Sequence, residues 1–131
     1  MQRTAVNPWD WSLAMGFNQG ELVKGTNRTL FAAGQAAVDG EGKPLHPGDM
    51  GAQIAAAFDN VEAVLAGAGM TLADVVRMNI YTTDVDGFFA HLGDYAERLA
   101  AAGVAPAGTL LGVNRLAFPE LLVELEATAV A

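Results

Sequence analysis

The sequence predicts an α+β domain, a mixed β-sheet with two helices packed on one of its faces. Three observations lead there. Apolar residues recur at every second position in some stretches and at spacings of three and four in two others, so both periodicities are present. The stretches follow the order strand, strand, helix, strand, helix, strand, strand, and two helices that each bury one stripe find their natural cover on one face of a sheet. At 131 residues, with 52% hydrophobic and 17% charged, the chain is a single domain over residues 1–131 with a real core.

The N-terminal segment Asn7 to Ser12, NPWDWS, places both tryptophans close together, and two large rings near an end read as packing anchors for a terminal arm. From Phe17 to Gln35 the pattern is a hairpin, FNQGELVKG and RTLFAAGQ, around a turn at Thr26-Asn27. Thr29 to Ala33 is nearly continuous in apolar residues, as in a strand covered on both faces. Gly34 at its end marks a bulge or a close approach to the backbone. Asp39 to Gly48, DGEGKPLHPG, is a loop.

Asp49 caps a helix with Met50, Ile54, Phe58, Val61 and Leu65 on one stripe, closed by Gly67 and Gly69. Asp74 to Thr83, DVVRMNIYTT, is a β-branched strand with Val76, Met78 and Ile80 on one face and Val75, Arg77, Asn79 and Tyr81 on the other. Thr83-Asp84 opens a second helix carrying Phe88 or Phe89, Leu92, Tyr95, Ala96 and Leu99, ended by Gly103.

Two strands follow, Thr109 to Leu116 and Leu121 to Ala129, joined by a turn at Phe118-Pro119-Glu120. In the last strand Leu121, Val123, Leu125, Ala127 and Ala129 share one face, while Leu122, Glu124, Glu126 and Thr128 share the other. Two carboxylates thus point the same way from a very apolar segment. The arrangement fits either a strand with one wetted face or a working acid or base, because partial burial raises a carboxylate's pKa towards neutrality. The sheet face away from the helices carries apolar residues, among them Leu110, Leu116 and Leu122, so other copies of the chain are expected to cover it.

Charge and composition remove several classes of function. Seven Lys and Arg are scattered among fifteen Asp and Glu, a net charge of −8, which disfavours binding to nucleic acid. With no cysteine, disulfides and thiol chemistry are excluded, and His46 and His91 have no metal-ligand spacing, so no metal is expected. No apolar run is long enough to span a bilayer and the start, MQRTAVNPWDWS, lacks the apolar core of a signal peptide; no membrane partner and a cytoplasmic location are expected.

Several segments together resemble the RidA family, the reactive-intermediate deaminases also called YjgF proteins and labelled endoribonuclease L-PSP. They are Gly34-Gln35, Gln53, FDNVEAVLAGAGM with Asp59-Asn60, DVVRMNIYTTD, Phe88, Tyr95, Pro106-Ala107, Arg115-Leu116 and VELEATAV, in order and with matching spacing from Phe17 onwards. The resemblance implies a chorismate-mutase-like subunit with a six-stranded sheet and a homotrimer around a central β-barrel, with small-molecule ligands bound in clefts between subunits. It implies hydrolysis of imines and enamines to a 2-oxo acid and ammonia, with no cofactor or metal. In the family an arginine two residues after a proline grips the substrate carboxylate, and a glutamate on the last strand orients the attacking water.

The glutamate corresponds to Glu124, while the arginine position reads Gly108 in Pro106-Ala107-Gly108. Other positions that line the family's cleft have also lost polarity: a tyrosine is Phe17, the serine before Gly34 is Ala33, the small polar position after the arginine is Leu110, and an asparagine is Leu92. Losing a bidentate charge-assisted pair costs several kcal/mol, on the order of a thousandfold in binding or rate, so the small 2-imino acids are not the expected substrates.

The expected function is hydrolysis of another imine, enamine or related carbon–nitrogen compound, with Glu124 catalytic and Phe17, Ala33, Gly34, Gly108 and Leu110 lining the substrate site. A non-catalytic binding or chaperone-like trimer is the alternative, and the endoribonuclease label stands last because it needs cations and an acid–base pair at the site.

Overall fold

The computed structural model describes residues 1–131. Its main sheet is five-stranded and mixed, built around β7 (Val123–Val130), which pairs antiparallel with β5 (Val75–Thr82), with β3 (Thr29–Phe31) and with β4 (Gln35–Ala36). The edge strand β6 (Leu110–Gly112) runs parallel to β5. A separate two-stranded sheet joins β1 (Gln2–Val6) to β2 (Gly20–Lys24). The α+β class and the mixed sheet follow the sequence pattern, with five strands in the main sheet where six were expected.

Helix α1 (Met50–Gly67) begins where Asp49 accepts from the Ala52 amide, and its Ile54, Phe58, Val61 and Leu65 are almost wholly buried. They pack on Met78, Val123, Leu125 and Ala127, which point inward from β5 and β7 by strand alternation. Gln53 on α1 is also buried, donating to the carbonyls of His46 and Glu120 and accepting from the Leu122 amide. One polar side chain thus ties the loop before β7 to the helix. No helix is long and apolar enough to cross a membrane.

Four local expectations are corrected. The Phe17–Gln35 hairpin does not form, because Asn27 and Arg28 donate to the Ala131 carbonyl and carry the chain onto the end of β7. Strand β2 instead pairs with the unanticipated β1, and Arg3, bonded to Glu21 across this ribbon, fastens it to the body through the carbonyls of Ala73 and Val75. The stretch from Thr109 to Leu116 is a strand only at Leu110–Gly112, and it pairs with β5 rather than folding back on β7.

The second helix is two helices, α2 (Val85–Ala90) and α3 (Leu92–Ala101). At the junction the His91 amide donates to Phe88, and the His91 ring Nδ1 sits 3.1 Å from the Gly87 carbonyl that an unbroken helix would have used. Between the two candidate phenylalanines, Phe88 is buried and Phe89 is exposed.

The apolar residues expected on the uncovered sheet face also sit elsewhere. Leu116 is buried with Ala36, Ala37 and Leu121, and Leu110 and Leu122 pack against the main core. On β3 and β6, Phe31, 79% exposed, and Leu111, 49% exposed, are large apolar residues left open. Neither tryptophan is buried in the single chain.

Candidate functional site

The expected site residues lie on opposite sides of the main sheet. On the side away from the helices, β5 and β7 align Tyr81 with Glu124 and Asn79 with Glu126. Alternation along both strands then sets four polar side chains in one block. Tyr81 Oη donates to Glu126 Oε1 at 2.9 Å, and Asn79 Nδ2 donates to the same oxygen at 3.0 Å. These donors, Asn79 first, hold the Glu126 carboxyl below the usual range, while the bond to Glu126 keeps the Tyr81 hydroxyl protonated.

Glu124 has the opposite shift. Desolvation, aided by the Glu126 charge two residues on, pushes its carboxyl above the usual range. The two neighbouring carboxyls are thereby shifted in opposite directions, with ionisation favoured at Glu126 and disfavoured at Glu124. The setting of Glu124 comes from its cross-strand neighbours: it aligns with Ala36 on β4, and its carboxyl lies over Gly34 just before that strand. A β-carbon at Gly34 would come within 2.8 Å of the Glu124 carboxyl carbon, so the close approach expected at this glycine is made by the carboxylate itself. Ala33 is exposed beside it.

On the helix side, an apolar pocket of about 190 Å³ opens between the N-terminal arm, α2, α3 and the β5–β6 edge. Met78 and Ile80 form its floor, Phe88, Leu92 and Tyr95 one wall, and Trp11, Met15 and Phe17 another, with Gly108, Thr109 and Leu110 along the strand edge. Trp11 and Phe17 meet edge-to-face at 5.8 Å. The lining contains no charged residue.

Gly108 has a steric reason of its own. A β-carbon there would lie 2.9 Å from the Met78 carbonyl carbon and closer still to its oxygen. Backbone packed on backbone leaves no room for any side chain, arginine included, unless the strands move apart. Arg77, which has no carboxylate partner, is exposed on the Glu124 side, where its Nη1 donates to Asn79 Oδ1 at 3.3 Å.

Phe17, Gly108 and Leu110 therefore come together in the pocket, Ala33, Gly34 and Glu124 come together on the other face, and one chain does not join the two groups. The largest depression, about 610 Å³ between α1 and α3, holds none of them. Residue-type reasoning missed Asn79, Tyr81, Trp11 and Tyr95 as site residues. The first two were visible as alternate positions of one strand, but their meeting with Glu126 depends on strand register.

The family model described as Endoribonuclease L-PSP matches residues 12–131. A RutC family protein of Pyrococcus horikoshii is 33% identical over 100 residues, covering 76% of this chain and 77% of that protein. The 2-iminobutanoate/2-iminopropanoate deaminase of Escherichia coli is 27% identical over 114 residues, 85% of this chain and 88% of the relative. A solved Rid-family protein of Yersinia pestis superposes with a TM-score of 0.86 at 36% identity, covering 100% of both chains. The family model spans residues 12–131 and the solved relative superposes over the whole chain, so the chain belongs to the RidA/YjgF family.

Proposed function

We propose that the protein is a hydrolase of imines or enamines that carry no carboxylate beside the reacting carbon, acting without cofactor or metal. The observation that supports this most is the Glu124 carboxyl, seated over Gly34 and pushed above the usual range by desolvation. A carboxylate so placed takes a proton from water as that water attacks the C=N carbon, and returns it to the departing nitrogen. The carbinolamine hydroxyl proton then passes through the same carboxylate to the amino nitrogen as the C–N bond breaks, leaving a carbonyl compound and ammonia with one water consumed. The similarity to an E. coli protein named 2-iminobutanoate/2-iminopropanoate deaminase agrees with this reaction class.

The substrate differs because Gly108 stands where the family's carboxylate-gripping arginine is expected, and the backbone at Met78 closes that position to a side chain. In this reading the active form is a homotrimer. A cleft between subunits brings the pocket of one copy, with Phe17 and Leu110, to Glu124, Gly34 and Ala33 of the next.

The test is ammonia release from the imine formed in place by oxidation of benzylamine, run beside 2-iminobutanoate. Faster hydrolysis of the first, lost in Glu124→Gln, is expected. Equal rates in Glu124→Gln and the native protein would remove the catalytic assignment and leave the non-catalytic binding trimer as the better description.

A further inference from the structure

The pocket behind β5 has a recognition feature that catalysis at Glu124 does not use. Tyr95 is 4% exposed, its ring held 5.4 Å from both Phe58 and Phe88, and it forms part of the pocket wall. Its hydroxyl has no protein partner, and burial alone pushes its pKa upward, so it stays protonated. A buried tyrosine hydroxyl ordinarily finds a hydrogen-bond partner, because leaving it unpaired forfeits the bond it had in water. The fully enclosed polar atoms without a partner are Ser12 Oγ and Gln19 Nε2, and the Tyr95 hydroxyl is not one of them; the open space its side chain lines is the pocket, and a partner for the hydroxyl would sit there.

Size and polarity define what fits. Apolar protein cavities of about 150 Å³ take up benzene, and this one, about 190 Å³, admits a ring with a short substituent. Ten of the twelve lining residues are hydrophobic and none is charged, so an anionic or cationic group would enter at a desolvation cost that nothing repays. The other polar residue, Thr109, is exposed at the mouth.

We infer that this pocket binds a neutral, ring-sized apolar group bearing one hydrogen-bond acceptor directed at the Tyr95 hydroxyl, and that this group is the recognition end of the substrate. The inference rests on the hydrolase reading for the word substrate; the binding itself does not. Acceptor-bearing aromatic carbonyl compounds and their imines are the chemical class indicated.

Three probes of similar size separate the possibilities: acetophenone, which has an acceptor; ethylbenzene, which has none; and benzoate, which is charged. Titration followed by NMR on the native protein is expected to show acetophenone binding about fivefold to tenfold more tightly than ethylbenzene, the worth of one neutral hydrogen bond, with no binding of benzoate. Contacts from the bound ring to the methyl groups of Met78, Leu92 and Leu110 are expected. Tyr95→Phe, which keeps the ring, should erase the preference for acetophenone while leaving ethylbenzene binding in place.

Benzoate binding as well as acetophenone, a preference unchanged in Tyr95→Phe, or no binding of either neutral probe would each overturn the inference. Glu124→Gln should respond to the three probes as the native protein does, binding the two neutral ones and not benzoate. Binding with no Glu124-dependent turnover would therefore sink the hydrolase reading alone, and turnover with no probe binding would sink the pocket assignment alone.

Discussion

On one side of β5, Asn79 and Tyr81 reach across to the Glu126 carboxylate of β7; on the other, Met78 and Ile80 floor a pocket whose walls carry no charge. The same strand serves both because its side chains alternate, and its two faces are solvated differently. Glycine works differently on the two sides as well. Gly34 makes room for the movable end of a functional side chain, whereas Gly108 makes room for a neighbouring main chain. On the proposed function, the first glycine bears on chemistry and the second on folding.

The largest effect should come from the reacting group. Glu124→Gln is expected to lower kcat for the benzylamine-derived imine by roughly a hundredfold to ten-thousandfold, the usual worth of a general acid–base group. Since the side chain is only half-buried, its melting temperature should stay close to native. Unchanged turnover would dissolve the contrast between a catalytic face and a binding face.

Next come the two glycines, which sharpen the comparison directly. In Gly34→Ala the new methyl meets the far end of Glu124, so the carboxylate is displaced and kcat should fall tenfold to a hundredfold, roughly what an ångström of misplacement costs. Its urea midpoint should barely move. In Gly108→Ala the methyl meets a main-chain carbonyl, and unfolding in urea should show a loss of about 1–3 kcal/mol, the cost of overpacking. The reverse pattern would show that the roles of the two glycines have been exchanged.

The smallest expected effect is a change of pH profile. On the proposed mechanism ionised Glu124 is the active form, so turnover should fall as pH drops through its pKa, which desolvation and the Glu126 charge hold above the ordinary glutamate range. Glu126→Gln removes that charge, lowers the Glu124 pKa and moves the acid limb to lower pH. An acid limb that stayed in place would mean that Glu126 does not act on Glu124.

Much of this was legible in the sequence, for reasons that particular residues make clear. The alternation of Val123, Glu124, Leu125 and Glu126 gave the strand and its two faces, and Asp49 with the Ile54–Phe58–Val61–Leu65 stripe gave α1, since both patterns are local. The docking of the β1–β2 ribbon was hidden because it runs through Arg3 to the carbonyls of Ala73 and Val75, contacts across seventy residues. The break at His91 was hidden because a side chain, not a glycine or proline, took the carbonyl of Gly87. For the site, residue type singled out Glu124 and Gly34, but not Tyr95, whose buried ring reads as core until its unpartnered hydroxyl is placed in the pocket wall.

The central claim is that the pocket and Glu124 form one site only between copies of the chain. The native sequence has no cysteine, so Leu110→Cys/Glu124→Cys places the only two thiols on opposite faces of a subunit. Treatment with a short thiol–thiol cross-linker, followed by denaturing gel electrophoresis, tests the claim directly. A ladder that ends at three linked chains is predicted. A single band at the mass of one chain, from protein whose native mass by light scattering is also that of one chain, would contradict it.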